Sequence, residues 1–120
     1  MKYITIDGDD IGQKIASSYL KNDENELIRT NDLVQEKTAK IADYLKSQGF
    51  SLLFCAADGV AGSCSYAFKN DEIFEEVKRI AGAELSFSAG VGETLRDSYI
   101  ALLSAKSSGK SLLHDFNDMN

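Results

Sequence analysis

The chain has 120 residues, 43% of them apolar and 27% charged, which is the composition of a folded globular domain and excludes disorder. Thirteen basic residues stand against nineteen acidic ones, and the net charge of −6 excludes a general electrostatic grip on duplex nucleic acid or an anionic membrane. Two cysteines make no disulfide framework, and neither a signal segment nor a membrane-length apolar run is present, so a single domain over 1–120 in the reducing cytoplasm is expected.

In chain order, residues 2–6 alternate polar and apolar side chains with β-branched types, the period of a half-buried strand. The strand runs straight into Asp7-Gly8-Asp9-Asp10, after which Ile11, Ile15, Ala16 and Tyr19 recur at helical spacing over 11–20. Residues 21–26 read as a weakly ordered polar break. A longer helix is expected over 31–48, with Val34, Ile41, Ala42 and Leu45 inward and Gly49 as its stop. The near-continuous apolar run 50–55 predicts a strand covered on both faces or central in its sheet. Ala56-Ala57-Asp58-Gly59 turns the chain into a partner strand over 60–66. Asn70 or Asp71 should cap a helix carrying Ile73, Val77, Ile80 and Ala81 inward.

Strict alternation over 85–91 predicts a fourth strand, and Thr94 with Asp97 reads as a capping box opening the last helix, 95–108. Residues 112–116 suggest a short edge strand before a frayed acidic tail. Tyr3, Tyr19, Tyr66 and Tyr99 read as core-edge aromatics, the cysteines as small apolar residues of the hairpin, and His114 as a surface or edge-strand residue. The order β-α-α-β-β-α-β-α, joined both by helices and by one tight hairpin, implies an α+β fold: a mainly antiparallel sheet with helices packed on it, close to ferredoxin-like.

Three acids at the end of a core strand are costly unless a cation or hydrogen bonds offset them. The first reading is a metal beside a phosphate, with Gly8 allowing close approach and Asp9 or Asp10 capping a helix whose free N–H groups bind anions. The second is a capping turn with surplus acids. In the expected fold Asp7 and Asp58 face a shared point, and two carboxylates persist there when a cation sits between them. Asp58 alone reads first as a plain hairpin aspartate, a reading weakened by the apolar Leu52-Leu53-Phe54 run that pins its turn to the core. Lys106 and Lys110 lie at and just beyond the end of the last helix. Cations there are stabilising in themselves, and they are also placed to reach a triphosphate.

Three features stand in order: Ile6-Asp7-Gly8-Asp9-Asp10-Ile11-Gly12, the hairpin Ala56-Ala57-Asp58-Gly59, and Ser88-Ala89-Gly90-Val91-Gly92 leading to Ala105-Lys106-Ser107-Ser108-Gly109-Lys110. Together they resemble the palm domain shared by diguanylate cyclases and the cyclic-oligonucleotide polymerases of type III CRISPR systems. A palm of this size, spanning nearly the whole chain, most resembles the minimal CRISPR polymerases. The resemblance implies that Asp7 and Asp58 are catalytic metal acids and that the Gly8 carbonyl joins them on Mg2+, or Mn2+ in its place. It implies triphosphate held by the turn Asp10, Ile11 and Gly12 and clamped by Lys106 and Lys110, with Asp9, Ala57 and Gly59 bordering the nucleotide. Asp58 falls on the third position of the G-G-D-[DE] hairpin, but Ala56-Ala57 replaces Gly-Gly and Gly59 replaces the fourth, acidic position. Asp9 or Asp10 would have to substitute for that acid, or only the triphosphate-bound ion is firmly held.

The activity so implied is a magnesium-dependent nucleotidyltransferase joining nucleoside triphosphates, ATP before GTP, into a cyclic di- or oligonucleotide for a separate effector in anti-phage defence. A homodimer follows from one nucleotide per palm. The alternatives are a purine triphosphate hydrolase resembling GTP cyclohydrolase III, and a degenerate palm that binds nucleotide as a sensor. Base contacts are expected from residues 21–30 or the flank of the long helix.

Overall fold

The computed structural model describes residues 1–119. Its elements are β1 (Lys2–Gly8), α1 (Ile11–Leu20), α2 (Glu24–Ser47), β2 (Ser51–Ala56), β3 (Gly59–Cys64), α3 (Asn70–Ala81), β4 (Phe87–Gly92), α4 (Leu95–Ser107), β5 (Leu113–Asp115) and a 3-10 turn, Phe116–Asp118. The strands form one sheet in the order β2-β3-β1-β4-β5, antiparallel throughout except for the β4–β5 pair. The α+β architecture and element order are those the sequence implied, and the short edge strand expected over 112–116 is β5, which pairs parallel to β4.

Strand alternation divides the sheet into two chemically different faces. Ile4 and Ile6 of β1 are fully buried and join Val60, Ala89 and Val91 under Ile41 and Leu45 of α2 and Val77 of α3. On the other face Thr5 shares a 2.8 Å hydrogen bond with the Ser98 hydroxyl of α4. Helix α4 lies so close to β4 that a Cβ on Gly90 would stand 2.1 Å from the Ser98 carbonyl oxygen and 2.2 Å from the Leu102 nitrogen. The glycines of the β4 motif are therefore a packing requirement: they seat the first and middle turns of α4 on the sheet, and the last turn of the same helix carries Lys106.

Several expectations need correction. The polar break is confined to residues 21–23, because α2 already begins at Glu24 and Asp23 caps it, accepting the Glu26 N–H at 3.0 Å. Strand β2 is an exposed edge, with Leu53 and Phe54 more than half exposed; only Leu52 packs against the core. A bulge between Leu52 and Phe54 leaves Leu53 unpaired, and the preceding Phe50 is the residue of that run that is buried. Helix α3 has no side-chain cap: Asn70 donates instead to Asp115 at 2.8 Å. Tyr19, Tyr66 and Tyr99 are exposed, as is Cys55, whereas Cys64 is buried. The tail is turned rather than frayed as far as Asp118, with the Asp115 carboxylate accepting the Asn117 N–H. Thr94 caps α4 as expected, accepting from Asp97 N–H at 3.0 Å. Among the described residues, no helix is long and apolar enough to cross a membrane.

Candidate active site

Because β1 lies between two antiparallel neighbours, its C-terminal end meets the start of β3 on one side and of β4 on the other. Asp7 is in register with Gly59 and with Ser88. The Gly8 N–H donates to the Asp58 carbonyl at 3.0 Å, fastening the hairpin tip to the strand end. A Cβ on Gly8 would be 3.1 Å from Asp58 Oδ2, so the hairpin carboxylate rests against the glycine backbone. On the opposite strand a Cβ on Gly59 would be 3.5 Å from Asp7 Oδ1. The missing side chain at 8 is what lets the hairpin aspartate come against the strand end, whereas a Cβ at 59 would meet Asp7 only at ordinary contact distance.

Their proximity shows in the chemistry. Burial pushes the Asp7 carboxyl above the ordinary aspartate value and the negative charge of Asp58 pushes it further, while Lys106 opposes both. Lys106, from the last turn of α4, donates to the Gly8 carbonyl at 2.8 Å and to Asp9 Oδ1 at 3.1 Å, and its ammonium lies 3.3 Å from Asp7 Oδ2. Burial works against that ammonium, but the bond to Asp9 and the charges of Asp7 and Asp9 hold its pKa above the ordinary lysine value.

Asp9 does something the sequence did not suggest. It is 3% exposed and turned away from Asp7, into β4. Oδ1 accepts the Ser88 hydroxyl at 2.7 Å as well as Lys106; Oδ2 accepts the Ser86 hydroxyl at 2.8 Å and the Ser111 N–H at 3.0 Å. Burial alone would raise its carboxyl, yet the donors from Ser88, Ser86, Ser111 and Lys106 outweigh that and hold it below the ordinary value. Asp9 neither caps α1 nor replaces the acid missing at position 59.

Asp10 stands at the N-cap position of α1 with φ 59° and makes no capping bond, so that expectation also fails. Its carboxylate pairs with Lys110. The first backward bond of α1 runs from Lys14 N–H to Asp10 O at 3.0 Å. The N–H groups of Ile11, Gly12 and Gln13 precede it and have no partner within the helix, the arrangement that binds anions at helix starts. Ala57 lies at the hairpin tip with φ 50°. The structure thus gathers Asp7, Gly8, Asp58, Lys106, Lys110 and the 10–12 turn at one end of the sheet, with Ala57 and Gly59 on the adjoining hairpin.

Two hollows are of ligand size, and the second of them is lined in part by Asp7. A cleft of about 420 Å³ between α1 and α2 is lined by Lys14, Ser17, Asp23, Arg29 and Thr30, with Glu84 opposite. On the α4 side a groove of about 650 Å³ runs from Asp7 between Phe54 and Tyr99, with Leu95 and Leu102 in its wall.

Among the described residues, no three His, Cys, Asp or Glu side chains form a metal-binding group. Two carboxylates and the Gly8 carbonyl remain, which are hard oxygen donors of the kind and number that suit a magnesium ion keeping its waters. A positive charge, Lys106, already rests on two of those three donors. At position 59 the space where an acid would point toward Asp7 borders the Phe54 ring, whose Cε1 would be 3.3 Å from a Cβ there. The donor set therefore suits one divalent ion better than two.

A family model for the minimal CRISPR polymerase (mCpol) domain matches residues 3–116. The fold is similar to that of the active GGEEF domain of a diguanylate cyclase from Vibrio cholerae, with TM-score 0.68 and 16% identity, covering 96% of this chain and 81% of that one. It is also similar to the GGDEF domain of PA1120 (TpbB or YfiN) from Pseudomonas aeruginosa, with TM-score 0.60 and 14% identity, covering 95% and 75%. No curated protein matches the sequence.

Proposed function

Because the chain belongs to the minimal CRISPR polymerase family, we propose that it is a nucleotidyltransferase that joins nucleoside triphosphates, ATP in the first place, into a cyclic di- or oligonucleotide. The observation that carries this reading is the convergence of Asp7, the Gly8 carbonyl and Asp58 opposite Lys106 and Lys110, beside the open amides of α1. One side of the site offers oxygen donors and the other offers cations and N–H groups, the two halves that phosphoryl transfer needs.

Asp7, Asp58 and the Gly8 carbonyl would hold Mg2+, which when bound neutralises charge on the reacting phosphate. The chain's own residues do the rest by positioning. The α1 amides and Lys110 take phosphate oxygens, with Lys110 leaving Asp10 for the incoming anion. Lys106 stays on Gly8 and Asp9 and presents its charge to the departing pyrophosphate. A ribose hydroxyl attacks the α-phosphorus; the new P–O bond forms, the bond to the β-phosphate oxygen breaks, and the hydroxyl proton passes to water. The cleft between α1 and α2 is roomy enough for a base, and its polar walls suit ring nitrogens and exocyclic groups. A cytoplasmic homodimer whose product signals to a separate effector in anti-phage defence completes the reading.

Gly59 in place of an acid favours one alternative, a palm that binds nucleotide as a sensor without turnover. Incubating the purified chain with each triphosphate and magnesium, then identifying products by mass spectrometry, decides among the readings. A cyclic phosphodiester supports the transferase, unchanged ligand with tight binding supports the sensor, and a ring-opened formamidopyrimidine nucleotide supports a cyclohydrolase. Asp58→Ala should abolish turnover with the fold intact by circular dichroism; surviving activity would refute the role given to Asp58.

A further inference from the structure

The phosphate side of the site is assembled from two distant pieces of chain. The amides of α1 follow directly from β1, whereas both lysines come from the end of α4 and the segment after it, and Lys110 meets Asp10 across 100 positions of sequence. That later segment is held in an unfavourable conformation. Gly109, Lys110 and Ser111 have φ of 129°, 67° and 51° in succession, and two of the three are residues that avoid the left-handed region. Such backbone persists only where its surroundings over-determine it. Here the Lys110 N–H closes the end of α4 on the Ala105 carbonyl at 3.2 Å, and beyond it Asp9 and Ser88 take over: the Ser111 N–H donates both to Asp9 Oδ2 and to the Ser88 hydroxyl oxygen, at 3.0 Å each.

We propose that Asp9 is a positioning residue that preforms the phosphate clamp, pinning Lys106 and the strained 109–111 segment against the start of α1 without touching nucleotide or metal itself. This rests on the nucleotide reading given above. Four donors saturate the Asp9 carboxylate, so nothing is left over for a ligand. Asp9 sits between Gly8, which Lys106 also holds, and Asp10, which pairs with Lys110. One buried anion thus sets both lysines at once. Without it, residues 109–111 relax toward ordinary backbone angles, Lys106 loses its bond to Asp9, and the nucleotide has to order the clamp as it binds.

The test uses inorganic tripolyphosphate, and separately ATP, in metal-free buffer with calorimetric detection, so the metal acids are not in play. Asp9→Asn keeps the shape but sets an NH2 donor against either Lys106 and Ser88 or Ser86 and Ser111. Affinity for both probes should fall about tenfold or more, the scale on which outer-shell partners act. Hydrogen exchange at the Ser111 amide should accelerate in the same variant. A core substitution far from the site, Val77→Ala, controls for stability: well below its melting point it should bind tripolyphosphate as the wild type does. If Asp9→Asn does not fold, Ser88→Ala removes one strut from Asp9 and one from Ser111, and a smaller loss in the same direction is expected. Unchanged affinity with a still-protected Ser111 amide in the folded variant would overturn the inference. Failure of the wild type to bind either probe, with magnesium restored as well as without it, would instead overturn the nucleotide reading, and Ser111 exchange would then decide whether Asp9 pins the segment.

Discussion

Asp7 and Asp9 stand two positions apart, and their carboxyls are pushed in opposite directions. Asp7 is raised, so between the ordinary aspartate pKa and its folded value the native state binds more protons than the unfolded chain. Stability contributed by that site falls as pH rises through this window, and the penalty is complete above it. Asp9 is lowered, so its contribution is complete above the ordinary pKa and is lost as pH falls through the folded value. Melting temperatures recorded against pH should separate the two. Asp7→Asn should raise the melting point at neutral pH and remove the decline across the upper window. Asp9→Asn should lower it at neutral pH, with the deficit shrinking in acid. A further outcome isolates the repulsion between Asp7 and Asp58: in Asp58→Asn, the Asp7 carboxyl followed by carbon-13 NMR should titrate at lower pH than in the wild type. No change would mean that Asp58 takes no part in raising Asp7. At the hairpin tip, Ala57→Gly removes the Cβ from a left-handed residue and should stabilise the fold by about 1 kcal/mol in denaturant titrations.

At the scale of elements, the contact of α4 with β4 carries the lysine to the acids. Gly90→Ala would drive a methyl group into the α4 backbone, and its cost should be about 3 kcal/mol or more in chemical denaturation, with weaker nucleotide binding in whatever remains folded. Asp23→Ala removes the cap of α2 and should cost about 1 kcal/mol, leaving the lysines and acids in place. These elements differ in how far the sequence disclosed them. β1 with its acids, the Asp58 hairpin and the Thr94–Asp97 cap were readable because each rests on contacts within a few residues. The start of α2 was readable too, as Asp23 followed three residues later by Glu26, but the acidic surroundings disguised it as a solvated break. The apolar Leu52-Leu53-Phe54 run misled, since only tertiary structure reveals that β2 is an edge and that a bulge leaves Leu53 unpaired. The role of Asp9 was not legible: Ser86, Ser88 and Ser111 are 77, 79 and 102 positions away, and no local pattern announces a bond of that reach.

At the scale of the whole molecule, the decisive point is that all the parts of the proposed phosphate site belong to one chain. Asp7, Asp58, Lys106 and Lys110 converge within a single chain, which offers one set of the oxygen donors proposed to hold a metal. A cyclic dinucleotide has two new phosphodiester bonds, so either one site acts twice with a released or rotated intermediate, or two palms face each other and each makes one bond. The homodimer proposal takes the second course, and it has a consequence the first does not share. In a mixed dimer of wild type with Asp58→Ala, one site works and the other holds nucleotide without reacting, so the first bond forms and ring closure lags. Diluting a fixed amount of wild type into increasing Asp58→Ala should therefore raise the ratio of linear to cyclic dinucleotide, as resolved by chromatography and mass spectrometry. The total of new bonds per wild-type chain should hold within about twofold, because each intact site still turns over. A chain that completes the ring alone would keep the product ratio of undiluted enzyme at every mixing ratio, and sedimentation at the same concentrations would then show a single palm at work.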